Sequence, residues 1–334
     1  MIAADRPDRP AARLCAVDAA GRIRHLPRAA LATVLARGDL VVANDAATLP
    51  ASLHGLHAAT GLPVELRLAG WVTPGDPTRF AAIAFGAGDH RIRTEDRPAP
   101  PNLAAGDHLS LGPLNAVVER GLGHPRPIQY AHVPAPLALW GVWTRIAADP
   151  VAFEPPSAGF ALDWALLAAW RRRGIGFATL THAAGISSTG DPALDRRLPF
   201  DEPYRIPEAT AAAVAQAKAT GRRIVAIGTT VVRALEAAAG EDGSVRAGDG
   251  VAANRIGPGT RLRVADALLT GMHQPGESHF ELLSAFAPDG VLDGLPAALA
   301  TEGYRGHEFG DVMLLERQAQ LSKCRDGRKS VEAA

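Results

Sequence analysis

The chain has 334 residues, 47% of them hydrophobic, with 35 basic and 35 acidic side chains. That length exceeds one ordinary core and predicts two domains, or one large domain carrying an insertion. The balanced charge argues against a protein that wraps RNA through a broad basic face, because phosphate binding rests on a cationic excess.

No run reaches the roughly 18 apolar residues of a membrane span. The opening MIAADRPDRPAARL carries charges and prolines where a signal peptide has an apolar stretch. A soluble, cytoplasmic protein with no membrane partner is expected. Cys15 and Cys324 lie nearly the whole chain apart with no CxxC, which predicts a reducing compartment and no structural metal.

In chain order, RLCAVD predicts a strand, followed by a Gly turn, a second short strand and a helix at RAALATVLA that ends at Gly38. LVVAND reads as a buried strand. Residues 62–150 change character: PVELRLAGWV, RFAAIAF and DHLSLGPLNAVVERGL are short, partly alternating and broken by Gly, Pro and Asp, which suits a small β-barrel or meander. PRPIQYAHVPAPLALWG is a proline-studded connection back. From about residue 151 strands and helices alternate. DWALLAAWRRRG is a helix closing on Gly174, with Arg171 to Arg173 at its negative end. IGFATLTH is a strand and PEATAAAVAQAKATG a helix with Pro207 near its first turn. RIVAIG then enters the helix TVVRALEAAAG, and RLRVADALLTGMH, ESHFELLSAFA and GDVMLL follow. The alternation predicts a layered α/β domain, and residues 318–334 read as a polar tail.

The stretch VAIGTTVVRALEAA joins a strand to a helix through Gly228. Such a junction points free backbone N–H groups at whatever lies above the sheet. Thr229 or Thr230 can cap the helix, Arg233 sits one turn inside, and an anion, carboxylate or phosphate, is the natural ligand. An ordinary capped helix with a solvated Arg233 fits the same spacing. No P-loop and no dinucleotide fingerprint is present.

THAAGISSTGD, after the strand GFATL, is rich in small and hydroxyl residues. It is either a ligand loop, with His182 as a base and Ser187, Ser188, Thr189 and Asp191 as polar contacts, or a long surface turn. His273, Glu277, His279 and Glu281 crowd together in HQPGESHFELL, at a spacing that does not suit zinc. Asn44 and Asp45 end a buried strand and either line a cleft or cap a turn.

Several of these strings, taken in order, resemble the S-adenosylmethionine:tRNA ribosyltransferase-isomerases of queuosine biosynthesis. GDLVVANDAATLPASLHG resembles that family's GDLLVxNDTRVIPARLxG. PPSAGF resembles APTAGL, IGTTVVRALEAA resembles VGTTSVRTLEAA, and VADALLTGMHQP resembles VVDALLTNFHLP. LLSAFA and YRGHEFGDVMLL resemble LVSAFA and YRFFSYGDAMLI, so the ordered set spans about residues 13–315.

The resemblance implies a three-layer α/β/α domain built from both chain ends, residues 1–61 and 151–317, with a small β-barrel inserted at 62–150. It implies S-adenosylmethionine as a pentosyl donor, without a metal, and a 7-aminomethyl-7-deazaguanine base in tRNA as acceptor. On this basis Thr229, Thr230 and Arg233, at the Gly228 turn, are expected to hold the anionic end of the donor. Ser157 and Gly159 of PPSAGF and Asn44 are further donor contacts. Asp45 stands beside the reacting centre, His273 or His182 is the base, and Gly310 and Asp311 close the site.

The departures are specific. Ala47 and Ser52 replace two arginines, and Gly276 replaces the Arg or Lys after the HLP motif. Ala161 replaces a histidine, and FDEPY keeps only Glu202 and Tyr204 of HSEWY. Fewer cations weaken the expectation of tRNA and favour a small amine-bearing acceptor as the alternative. A non-catalytic adenosyl- or RNA-binding relative is the remaining class. His182, Ser187, Asp191, Glu277, His279, Glu281, His307 and Glu308 are polar groups gained at the departing positions.

Overall fold

The protein is described by a computed structural model covering residues 2–3, 12–49, 51–73, 76, 78–89, 92, 96–119, 141–187, 196–287, 289–306 and 309–318. The expectations for Ser188, Thr189, Asp191, His307, Glu308, Cys324, most of the proline-studded connection and the tail beyond 318 lie outside these residues.

A run of five buried residues, Leu40–Asn44, forms an interior strand of a nine-stranded sheet. Its side chains alternate between two apolar clusters. Val41 and Ala43 join Leu166 and Trp170 of the Trp164–Arg172 helix, while Leu40 and Val42 join Val214 and Val231 of the Glu208–Ala219 and Thr229–Ala238 helices. A strand covered on both faces has no polar side to show, which is why it reads as a continuous hydrophobic run.

Four central strands run parallel in the order Gly176–His182, Leu40–Asn44, Ile224–Ile227, Ala267–Gly271. Glu202–Ile206 and Gly248–Ala252 extend one side, both antiparallel. On the other side Val312–Glu316 runs antiparallel to Ala267–Gly271, followed by Arg13–Val17 and then Ile23–Pro27 at the edge. Both chain ends therefore build one sheet, in a mixed α/β fold.

The helix beginning at Trp164 starts where Asp163 accepts the Leu166 amide at 2.7 Å, and Trp170 is locked by a 2.8 Å bond from its indole N–H to the Leu31 carbonyl. The predicted helix at RAALATVLA is shorter than expected: a 3-10 turn at Arg28–Ala30 leads into Leu31–Val34. Leu35 is already extended, and Arg173 donates to the carbonyls of Ala32 and Leu35, supplying the partners that another turn would have provided. The two antiparallel strands at Glu202 and Gly248 escape sequence reading because Pro203, Gly248 and Gly250 break the usual strand signature.

A second, five-stranded antiparallel sheet has the order Leu114–Val117, His108–Leu111, Ser52–His57, Pro63–Trp71, Phe80–Phe85. It takes Ser52–His57 as its middle strand, upstream of residue 62, where the change in composition had placed the boundary. Gly55 allows the close approach of two of its strands, because a Cβ there would lie 1.9 Å from the Ser110 carbonyl oxygen. Its interior holds Glu65 between Arg67 and Arg97. The chain enters and leaves this sheet side by side, since Ala46–Thr48 pairs in parallel with Asp149–Ala152. Trp71 donates to the Val151 carbonyl at 3.0 Å and packs on Phe80 and Phe153, fastening the small sheet to the Asp149–Ala152 strand.

Candidate active site

The carboxyl ends of the four parallel strands deliver His182, Asn44, Gly228 and Gly271 to one edge of the sheet, where open α/β sheets hold their ligands. A cavity of about 700 Å³ opens there, within the range of small-molecule sites. Its walls come from the segments 154–158, 184–187, 196–202, 228–233, 255–260 and 270–282.

Gly228, Thr229 and Thr230 all line it. Gly228 adopts φ 93°, a left-handed value that lets the strand turn sharply into the helix, and its N–H bonds the Leu269 carbonyl at 2.8 Å. No side chain caps the helix Thr229–Ala238, so its first-turn amides and the positive end of its dipole face the cavity. Thr229 is 6% exposed, and no side-chain hydrogen bond ties its hydroxyl to the described residues.

Asn44 is buried just behind this wall and does not line it. Its Nδ2 donates to the His182 carbonyl at 2.9 Å and to Thr230 Oγ1 at 3.3 Å, while its Oδ1 accepts from the Ala46 and His182 amides. One amide side chain thus ties three strand ends together. Ser157 lines the cavity, whereas Gly159 lies behind it, where a Cβ would sit 2.8 Å from Thr144 Cγ2.

Arg233 reaches the cavity wall, but its guanidinium is committed to the protein. It is ion-paired with Glu202 and donates to the carbonyls of Phe200 at 3.0 Å, Ala252 at 2.7 Å and Asn254 at 3.4 Å. Burial pushes the Glu202 carboxyl up against the attraction of Arg233, and the other oxygen of Glu202 accepts the Gly185 amide at 2.6 Å. Gly185 has room for nothing larger, since a Cβ would lie 2.5 Å from the Ala69 carbonyl of the small sheet.

His182 is wholly buried beneath the wall, with Nε2 3.5 Å from Glu202. Burial, reinforced by Arg233, pushes its pKa down to about 3, so it is neutral at pH 7. Asp45 accepts from Thr181 Oγ1 at 2.7 Å and is not a wall residue. Asp311 is not among the residues that line the cavity: it fastens the N-terminal segment, accepting from the amides of Ala12, Arg13 and Arg305 at 3.2, 2.9 and 2.9 Å. Gly310, beside it, packs against the Arg305 and Gly306 carbonyls.

His273 does line the cavity, with Nε2 2.7 Å from Thr270 Oγ1 and Nδ1 3.7 Å from Glu277 Oε2. The half-buried ring of His279 lies 5.0 Å away, and burial followed by the charge of His273 pushes its pKa down to about 3. Burial would raise the Glu277 carboxyl, but hydrogen bonds from His273 and the Gln274 amide outweigh it and hold the group low. Thr270, Arg196, Arg255 and Glu154 also reach the wall and were not singled out from the sequence. For Thr270 the available signal was its position three residues before His273 at a strand end. Of the departures, Gly276, His279, Glu281 and Ser187 line the cavity, whereas Ser52 donates to Glu65 inside the small sheet at 2.6 Å. Among the described residues no group of three or more His, Cys, Asp or Glu side chains is arranged to hold a metal.

The family model described as queuosine biosynthesis protein matches residues 2–315. The chain belongs to that family. Among its relatives, the S-adenosylmethionine:tRNA ribosyltransferase-isomerase of Thiobacillus denitrificans is 36% identical, with 95% of this chain and 94% of that protein covered. The protein of the same name from Moorella thermoacetica is 33% identical, with 83% and 84% covered. In fold, the chain matches the crystal structure of S-adenosylmethionine tRNA ribosyltransferase from Thermotoga maritima, with a TM-score of 0.51 at 23% identity over 94% and 95% of the two chains. The matched region takes in both sheets and every wall of the cavity.

Proposed function

We propose that the protein is a transferase that uses S-adenosylmethionine as a pentosyl donor, releases adenine and methionine, and passes the ribosyl carbons to an amine. The amine of a 7-aminomethyl-7-deazaguanine base in tRNA is the default acceptor, as the names of the relatives suggest. The observation that carries this reading is the convergence of separate family-like strings on one cavity. PPSAGF brings Ser157, IGTTVVRALEAA brings Gly228 to Thr230, and VADALLTGMHQP brings Thr270 and His273.

The chemistry follows from charge. A sulfonium acidifies the neighbouring C5′ hydrogens, so a positioned base can remove one. The uncapped helix end with Thr229 and Thr230 supplies donors for the carboxylate of the methionyl tail. Arg233 contributes positive potential to the same wall while acting mainly as its support. Of the two candidate bases, His273 is the one in the cavity. We place the donor site in the large sheet, treat the antiparallel sheet as the inserted unit, and read the protein as cytoplasmic. Among the described residues no helix is long and apolar enough to cross a membrane.

A small amine acceptor is the second reading, favoured by Gly276 and Glu281 in the cavity wall, where the family motif carries a cation at the former position. Both readings are tested by incubating the protein with S-adenosylmethionine, with and without tRNA carrying the aminomethyl base, and assaying adenine and methionine. Release that depends on the modified tRNA supports the default acceptor. Release that ignores tRNA and responds to small amines supports the second, and no release under any condition rejects the activity.

A further inference from the structure

The wall opposite the helix end carries a hydroxyl, an imidazole and a carboxylate in sequence. Thr270 ends the strand Ala267–Gly271 and is 2% exposed, its remaining surface facing the cavity. Its Oγ1 is 2.7 Å from His273 Nε2, and His273 Nδ1 is 3.7 Å from Glu277 Oε2. An ionised carboxylate only accepts, so Glu277 favours the tautomer of His273 that carries its proton on Nδ1. Nε2 then holds a lone pair and accepts the Thr270 O–H. This is a hydroxyl–base–orienter order in which the hydroxyl, and not the ring, is the group presented to a ligand.

We propose that Thr270 and His273 act as a proton-transfer couple, with Glu277 as the positioning residue that fixes the ring and its tautomer. The inference rests on the donor reading given above. In the step, the C–H bond beside the sulfonium breaks and its electron pair stays on carbon. The proton goes to Thr270 Oγ1 as the hydroxyl proton of Thr270 passes to His273 Nε2. The resulting imidazolium points Nδ1–H at Glu277, and the same path in reverse returns a proton. No oxidant or further reactant is needed.

The geometry separates this role from ordinary packing. A core threonine ordinarily satisfies its hydroxyl on a nearby backbone carbonyl, as Thr210 of the Glu208–Ala219 helix does on Thr179 at 2.6 Å. Thr270 instead spends its hydrogen bond on an imidazole in the cavity. Glu277 also accepts the Gln274 amide at 3.0 Å, which holds the carboxylate in place while His273 changes charge. The groups facing His273 are Thr270 from the strand, Glu277 from the turn, and His279 and Glu281 from the helix Ser278–Leu283, with Arg233 farther off. Burial pushes His279 down to about 3, and the Glu277 carboxylate lies 3.7 Å from His273 Nδ1.

The test uses the full-length protein. Calorimetry with S-adenosylmethionine establishes donor binding, and incubation in heavy water measures deuterium entering the C5′ position of that molecule. Thr270→Val keeps the shape and removes the relay, with exchange expected to fall on the order of 100-fold or more while donor affinity is retained. Thr270→Ser keeps a hydroxyl and is expected to stay within about tenfold of wild type. Glu277→Gln removes the carboxylate that favours the imidazolium, moving the acid limb of the exchange-rate profile down by about one pH unit. Undiminished exchange in Thr270→Val, or an acid limb unmoved in Glu277→Gln, overturns the couple alone. A wild-type protein that neither binds the donor nor exchanges overturns the donor reading itself. If Thr270→Val does not fold, the decision rests on Thr270→Ser and Glu277→Gln: an unmoved acid limb, or loss of exchange in the serine variant, rejects the couple.

Discussion

Arg233 and Glu202, 31 residues apart in the chain, form a buried ion pair in the cavity wall. The pair joins the second turn of the Thr229–Ala238 helix to the strand that precedes the Glu208–Ala219 helix, and through the Gly185 amide it also fixes the 183–187 loop. Both charges are shifted by burial in the direction that disfavours them: Glu202 is pushed up and Arg233 down. The pair therefore does not yield a large net stabilisation, yet neither member can be removed alone without leaving an uncompensated buried charge.

Arg233→Met or Glu202→Gln alone is accordingly expected to destabilise the protein by about 3–5 kcal/mol. The double variant should cost clearly less than the two singles summed. Chemical denaturation of all four proteins measures this coupling. A simple sum of the single effects would reassign Arg233 from wall support to free ligand contact.

Asn44 sets the height of Thr230 against the helix end, and Thr229 offers a hydroxyl with no hydrogen bond to the described residues. Thr229→Val removes that hydroxyl with little change of shape, with an expected loss of about 1 kcal/mol of donor affinity, or roughly five- to tenfold, and little effect on folding. Asn44→Ala should cost more, about 1–3 kcal/mol of stability for each buried amide it leaves unpaired, and should weaken donor binding as well. Calorimetry with S-adenosylmethionine, together with thermal unfolding, separates the two patterns.

Two histidines, His182 buried and His279 half-buried in the cavity wall, make stability depend on acid. His182 and His279 are pushed down to about 3 from an ordinary 6.5. The unfolded chain therefore binds more protons than the folded one between those values. Their contribution is fully present above about pH 6.5 and is lost as pH falls toward about 3. His182→Leu should flatten this slope by a few kcal/mol across the window, an order-of-magnitude figure from the linkage relation. Unfolding free energies at several pH values give the slope directly.

The small sheet has its own acid sensitivity. Burial alone would raise Glu65, but hydrogen bonds from Arg67, Ser52 and Arg97 outweigh it and hold the carboxyl at about 2. A depressed carboxylate stabilises above its unfolded value, near 4.5, and the gain is lost as pH falls from there to about 2. At neutral pH Glu65→Gln is expected to cost about 2–4 kcal/mol, because it leaves Arg97 buried without a counter-charge. Limited proteolysis within residues 52–117, followed against pH, reports on this sheet separately from the large one.

Much of the architecture is legible in the chain itself. Continuous apolar runs such as LVVAN mark strands buried on both faces, and Asp163 and Gly228 mark where helices begin, because both signals arise from neighbours in sequence. The family strings likewise locate the turn at Gly228 and the Thr270–His273 corner. The antiparallel strands with Pro203 and Gly250 were hidden, since their residues carry little local strand signal and only pairing with a neighbour makes them strands.

Which candidate residues share the cavity was decided by the fold alone. His182, Asp45 and Asp311 are as polar and as suggestively placed in sequence as His273, yet one lies beneath the wall, one bonds Thr181, and one fastens the N-terminal segment. Arg233 reads as a free cation until Glu202, Phe200 and Ala252 close around it. Sequence fixes what chemistry each side chain can perform and the local turn that carries it. Burial, charge state and hydrogen-bond partners come from chain segments tens to hundreds of residues away, and only folding brings those together.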